Sequence, residues 1–315
     1  MKRKKSIPQV FLDANIIIRS GKPPGGPEIK RVGDLVDAEM VGILTTDLTI
    51  TEVEKKHADN DYEVIKHITR LHFRRLVEKA VGSKIADITK TELRDIFSKQ
   101  YNNSVLDMFN SIKAVRLEID DVKPAAVFTH YANRTGFFSG DGKKDQFPDA
   151  FIFECLKKVS SEKSPVIIVS DDGDFERPAA LEAHVTVIKS LPELFRLLGY
   201  EMDAPPVEEF LTEKIDKLVE LVDREVNDWG LVGDIDDSEI YDITVNEVEI
   251  NKLSAFKPVK QGDSLLAIGR LMVMATVEYS HPDWDTATYD SEDQVLIPFR
   301  GSSRILVVNF QWGQA

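Results

Sequence analysis

Carboxylates stand at four places in this 315-residue chain where their neighbours suggest chemistry. Asp13 closes the apolar run Val10-Phe11-Leu12, with Asn15 two residues on. Glu52 and Glu54 lie in ITEVEKKH, which reads as the opening of a helix after the short strand GILTT. Asp149 follows Pro148 at the head of the apolar helix DAFIFECL, with Asp145 four residues earlier. Ser170, Asp171, Asp172 and Asp174 follow the run VIIV. Taken singly, each has an ordinary explanation, because Asp and Asn cap helices and turns and an acid in a first helical turn suits the helix dipole. Three carboxylates in four residues, however, repel one another unless a cation or free exposure relieves them. Mg²⁺ and Mn²⁺ take oxygen ligands of this kind, and phosphodiester hydrolysis by one or two such ions needs carboxylates converging on one edge.

The elements that would position them alternate strand and helix. VFLDANIII reads as a buried strand leaving its sheet at Asp13; a helix follows, then the strand at GILTT, then a long helical stretch from Leu48 to Ala80. Residues 83–134 read as helical, with Thr89 and Glu92 at capping-box spacing. A helix at 147–158, the strand VIIV, a short helix, the strand HVTVIK and the helix LPELFRLLGY complete an α/β pattern, and runs such as VIIV are those of a parallel sheet covered on both faces. Ligands gather at the carboxyl ends of the strands in such sheets. Beyond it, Val207, Leu211, Ile215, Leu218, Val222 and Val226 make an amphipathic stripe over 206–228, expected to pack against the first domain. YDITVNEVEI, LLAIGRLMVMATVEYS and SRILVVNFQW alternate as strands of a small antiparallel β module, with HPDWDTATYD, containing Trp284, Asp285 and Tyr289, expected as a loop. The expected domains are thus 1–200, a connecting helix over 201–230, and an acidic β module over 231–315.

The order VFLDANIII, ITEVE, PDAFIFECL and VSDDGDF resembles the PIN-domain nucleases, and most closely the larger bacterial PIN proteins with a C-terminal extension. The likeness runs over about residues 8–200. It implies a PIN-like parallel sheet sandwiched by helices and a Mg²⁺- or Mn²⁺-dependent endoribonuclease acting on single-stranded or looped RNA, with DNA the lesser expectation. Asp13, Glu52, Asp149 and Asp172 are the implied metal ligands, with Asp174 a further or outer one. Glu54 stays an alternative to Glu52, which lies nearer the preceding strand, and the division of roles among Asp171, Asp172 and Asp174 stays open. Two other readings are a catalytically silent PIN scaffold that binds RNA or a partner, and a haloacid-dehalogenase-like phosphatase. The second would need an Asp where this chain has Asn15.

Substrate contacts are expected from Asn15 and Ser170 beside the carboxylates, from Arg134, Lys143 and Lys144 ahead of Asp149, and from the basic stretch around Arg74. Phe137 and Phe138 either stack a base or anchor the loop they lie in. Residues 1–200 hold 31 Lys and Arg against 30 Asp and Glu, whereas residues 201–315 hold 9 against 24, so a polyanion should meet the first part. The acidic module is expected to serve regulation or self-association. His57, His67 and His72 lack zinc spacing, and nucleotide-loop and serine-hydrolase motifs do not occur. The single cysteine, Cys155, reads as a buried hydrophobe. No run approaches the roughly 20 apolar residues of a membrane helix. The basic start MKRKK leads into an apolar stretch holding Asp13, without a cleavage site, so a cytoplasmic protein is expected.

Overall fold

Five short strands, β1 (Gln9–Leu12), β2 (Gly42–Thr46), β3 (Val115–Leu117), β4 (Val166–Val169) and β5 (Val185–Ile188), pair in parallel in the order β3-β2-β1-β4-β5. The computed structural model describes residues 7–22, 24–139, 146–228, 239–260, 262, 264–290 and 295–308, and for residues 286 and 295–308 the backbone alone. The chain divides into two compact units, Met1–Met202 and Asp203–Ala315.

Within the first unit the parallel strands are joined through α1 (Ala14–Arg19), α2 (Pro27–Asp37), α3 (Asp47–Ile65), α4 (Leu71–Val81), α5 (Lys90–Ser111), α6 (Pro124–Asn133), α7 (Phe147–Val159) and α8 (Glu176–Ala179), and α9 (Leu191–Leu197) follows β5. Both faces of β1 and β4 are buried, which is why Val10, Phe11 and Leu12, and Val166 to Val169, carry no alternation. One face packs Phe11, Leu44, Val166 and Ile168 against Ile152, Phe153 and Leu156 of α7 and against Phe175. Cys155 is buried in the same cluster, and burial pushes its thiol up to about 11.

The long helix expected after GILTT is interrupted. α3 ends at Ile65, a 3-10 turn covers Lys66–Thr69, Arg70 is extended, and α4 runs to Gly82, whose φ of +74° ends it in the left-handed conformation that glycine adopts freely. The capping box forms: Thr89 Oγ1 accepts from Glu92 N at 3.2 Å while Glu92 Oε2 accepts from Thr89 N at 2.8 Å. Strand β3, within the stretch read as helical, is an addition. Two of its three residues are exposed at the sheet edge, so no apolar run announced it.

In the second unit, α10 (Glu208–Glu213) and α11 (Ile215–Asp228) replace one continuous helix, and β6 (Glu239–Phe256), β7 (Leu266–Asp290) and β8 (Val295–Val308) form an antiparallel sheet in that order. Of the apolar stripe expected to cover the first domain, Leu218, Val222 and Val226 pack within the second unit. Val222 and Val226 share one core with Ile243, Val245, Val248, Leu271 and Val273. Asp223 Oδ1 accepts from Val245 N at 2.8 Å, and Asn227 Nδ2 donates to Ile243 O at 2.9 Å, which fixes α11 on β6. A periodic stripe tells that a helix face is covered, and not by what. HPDWDTATYD is a second correction: it continues β7, pairing His281 with Gly301 and, after a register shift, Thr288 with Ile297. Among the described residues no helix is long and apolar enough to cross a membrane.

Candidate active site

The strand order reverses direction between β1 and β4, and open α/β sheets bind ligands at that crevice, beyond the strand carboxyl ends. The register there is tight. Phe11 pairs with Ile168 and Leu12 with Val169, and Asp13 N donates to Val169 O at 3.0 Å. The backbone therefore delivers Asp13 and Ser170 to the same spot from positions 157 residues apart.

Asp13 is the N-cap of α1. Its Oδ1 accepts from Ala14 N at 2.7 Å, and its buried Oδ2 accepts from Ser170 Oγ at 2.5 Å. The capping explanation of Asp13 is thus true of one oxygen and leaves the other for Ser170. Ser170 Oγ also accepts from Asp172 N at 3.2 Å and from Asn15 Nδ2 at 3.4 Å, so one hydroxyl joins the ends of both central strands. Asp172 in turn caps the turn after β4, accepting from Asp174 N at 3.0 Å. Asp149 lies in the first turn of α7, behind Pro148, as expected from sequence.

Their charges act on one another. Burial lifts the Asp13 carboxyl to about 6, against the lowering pull of its bonds from Ser170 and Ala14, and Glu52 and Asp172 lift it further. Burial likewise lifts Asp149 to about 7, reinforced by Asp13, Glu52, Asp172 and Asp174. Glu52 belongs to a residue that is exposed as a whole, yet partial burial of its carboxyl raises its pKa against the opposing charge of Lys56. Asp149 is therefore the carboxyl on which the acids from β1, α3 and β4 all bear.

The two open choices separate by contact. Glu54 accepts from Ser98 Oγ at 2.6 Å and from Asn102 Nδ2 at 3.0 Å, both on α5, whereas Glu52 acts on Asp13 and Asp149. Asp171 is ion-paired with Arg19 at the end of α1, while Asp172 and Asp174 bear on Asp149. Arg19 was not singled out from sequence; its signal is its place about one and a half turns beyond Asp13 on the helix that Asp13 caps.

The basic residues are distributed otherwise than the sequence suggested. Arg134 is exposed at the C-terminus of α6, in a left-handed conformation with φ of 52°. Lys143, Lys144 and Asp145 lie outside the described residues. Arg74 is a correction: it is 6% exposed, with its guanidinium paired to Asp87, and so is not a free cation for a phosphate. Phe137 and Phe138 are anchors. Phe137 packs edge-on to Phe153 and Phe175, and Phe138 lies 4.8 Å from Phe147 between ring centroids.

Among the described residues, no three His, Cys, Asp or Glu side chains stand closely enough to hold one metal ion as placed. The donor set nevertheless suits a hard divalent cation: its side chains are oxygen donors that repel one another, and Asn15 Oδ1 is buried there without a hydrogen-bond partner.

Neither a curated protein nor a solved structure matches the chain. A family model described as PIN domain matches residues 10–175, which takes in all four acidic positions and more than half of the sequence. The chain belongs to the PIN-domain family, whose members are generally nucleases.

Proposed function

We propose that this protein is a Mg²⁺- or Mn²⁺-dependent endoribonuclease that hydrolyses phosphodiester bonds in single-stranded or looped RNA. The observation that carries the reading is the junction of β1 and β4, where Ser170 Oγ donates to Asp13 and accepts from Asp172 N, with the Asp149 carboxyl lifted to about 7 by burial and then by Asp13, Glu52, Asp172 and Asp174. Crowded anions at a strand-end crevice are unfavourable for folding alone and suit a cation with a phosphate. Asp13, Glu52, Asp149 and Asp172 would hold the ion, with Asp174 outside them. When bound, such an ion lowers the pKa of a water and offsets negative charge on phosphate oxygens.

The chain's own part is orientation and charge. Ser170 fixes Asp13 by its single proton, and Asn15 is turned towards the same hydroxyl. Without a cation, Asp149 retains its proton up to about pH 7 and Asp13 up to about pH 6, so ion binding and deprotonation are linked. Arg134, with Lys143 and Lys144, would meet the substrate backbone as cations.

The test is cleavage of an end-labelled mixed-sequence single-stranded RNA, beside DNA of the same sequence, by purified protein. Cleavage in Mn²⁺ or Mg²⁺, its disappearance in chelator, and a loss of at least about 10²-fold in Asp149→Asn are expected. Undiminished cutting in chelator, or in Asp149→Asn, would overturn the assignment, and preferential cutting of the DNA would overturn the choice of RNA.

A further inference from the structure

From the geometry and charge of α4 we infer a second nucleic-acid surface, a platform for single-stranded RNA apart from the acidic crevice. The inference rests on the substrate being RNA, but it concerns residues that the catalytic reading does not use.

Three stripes run along α4. The inner one is anchored: Arg74 pairs with Asp87, and Glu78 Oε1 accepts from Ile85 N at 2.9 Å, so the segment 85–87 holds this side of the helix. The second carries His72, Arg75 and Lys79, and the third carries Phe73, Leu76 and Ala80, each at steps of three and four residues. All six are exposed, Phe73 at 42% and Leu76 at 54%. Cations and apolar groups therefore lie side by side, repeating about every 5.4 Å along the helix. Among the described residues no ion pair takes up Arg70, Arg75 or Lys79. Phe73 already has a ring partner in His67, with centroids 5.9 Å apart, which makes a small aromatic ledge.

Charge decides which class of partner suits this surface. Residues 66–99 hold nine Lys and Arg against four Asp and Glu. Every other part of the chain is balanced towards acid: 10 against 11 in residues 1–65, 12 against 15 in residues 100–200, and 9 against 24 beyond. A polyanion attracted to a chain of net charge −14 is drawn to this segment. Single strands are gripped by cations tracking the backbone and by aromatic faces on which bases stack, with little sequence preference. The adjoining cleft of about 610 Å³, with Ile68, Ile88 and Ile96 in its wall, is lined by the acids Asp87, Glu92 and Asp95 against one cation, Lys99, and does not suit the same ligand.

The test measures binding and not turnover. Full-length protein carrying Asp149→Asn is titrated with a fluorescent 20-nucleotide oligouridylate over a range of salt concentrations. Adding Arg75→Gln with Lys79→Gln should weaken binding about tenfold and flatten the salt slope by roughly 1.4, the share of two phosphate contacts on a single strand. Phe73→Ala should weaken it by about 5- to 160-fold, and Phe73→Trp should restore it. Unchanged affinity and slope in the double variant would overturn the inference. So would a change in the oligomeric state of the chain, without a change in RNA affinity, on Phe73→Ala, since the face would then serve protein association. Because no cleavage is read, binding lost through Arg75 and Lys79 in a protein that cuts no RNA would refute the nuclease reading and leave this one standing.

Discussion

The acidic crevice and the face of α4 are built in opposite ways. At the crevice, backbone pairing between β1 and β4 brings Asp13 and Ser170 together, and burial, reinforced by neighbouring acids, lifts the carboxyls of Asp13 and Asp149 to about 6 and about 7. On α4 nothing is forced: two anchors hold the inner stripe, and Arg75, Lys79, Phe73 and Leu76 are left in water. Groups held against their own repulsion suit chemistry, whereas groups left solvated and spaced along a helix suit reversible grip. In each region, a residue two or fewer places away in sequence has a structural task instead: Glu54 beside Glu52, and Arg74 beside Arg75.

That comparison breaks first on the two glutamates of α3. Glu52→Gln should lower the cleavage rate by at least about 10²-fold with little change in melting temperature. Glu54→Gln, which disturbs bonds to Ser98 and Asn102, should leave the rate within about threefold and cost about 1 kcal/mol in denaturant unfolding. Equal losses of rate would mean that the crevice does not distinguish the two.

A smaller effect lies in the pH dependence of stability without metal. Asp13 and Asp149 have folded pKa values raised above the ordinary 3.8, so between about pH 4 and 7 the folded chain binds more protons than the unfolded one. Their contribution is most favourable below pH 4 and is lost as pH rises through about 7. In chelator, unfolding free energy should fall between pH 5 and pH 8 by on the order of 2 kcal/mol from this source. Asp149→Asn should remove much of that fall, and Mg²⁺ should raise the melting temperature more at pH 8 than at pH 5. A stability profile identical in wild type and Asp149→Asn would contradict the crowding.

The smallest effect tests whether an unpaired polar group marks function by itself. His57 is 1% exposed, stacks on Tyr101 with ring centroids 5.2 Å apart, and leaves both ring nitrogens without a hydrogen-bond partner. Burial lowers its pKa, and Lys22 lowers it further. His57→Phe should keep the stack and raise stability by about 1 kcal/mol, read by denaturant unfolding, with RNA cleavage unchanged. A drop in cleavage would place His57 among the functional groups.

Much of the crevice was legible because its signals are local. An acid after a buried apolar run, or after Pro148 at a helix start, is visible within a few residues. What was hidden depends on distant partners: Arg74 turns inward to Asp87, Asp171 outward to Arg19, and Glu54 to α5, and no spacing rule connects these pairs. The fold divides similarly. Strands β1 and β4 read directly as buried runs, whereas β3 is three residues long and mostly exposed. The stripe on α11 was visible, but its cover is a sheet beginning at Glu239. Pro282 and the acids around Trp284 looked like a loop, and cross-strand pairing to β8 overrides that local preference.

The pairing of β1 with β4 also sets a clock. Ser170, which orients Asp13, is made 157 residues after it. At ordinary rates of synthesis that interval is roughly 8 to 30 s. Throughout it the nascent chain carries Asp13 without Asp172, and through most of it without Asp149 as well, while Glu52 joins Asp13 after about a quarter of the interval. The crevice is thus assembled only when β1 meets β4, the fourth of the eight described strands, and the endoribonuclease proposed above would stay incomplete while its chain emerges beside the RNA that encodes it.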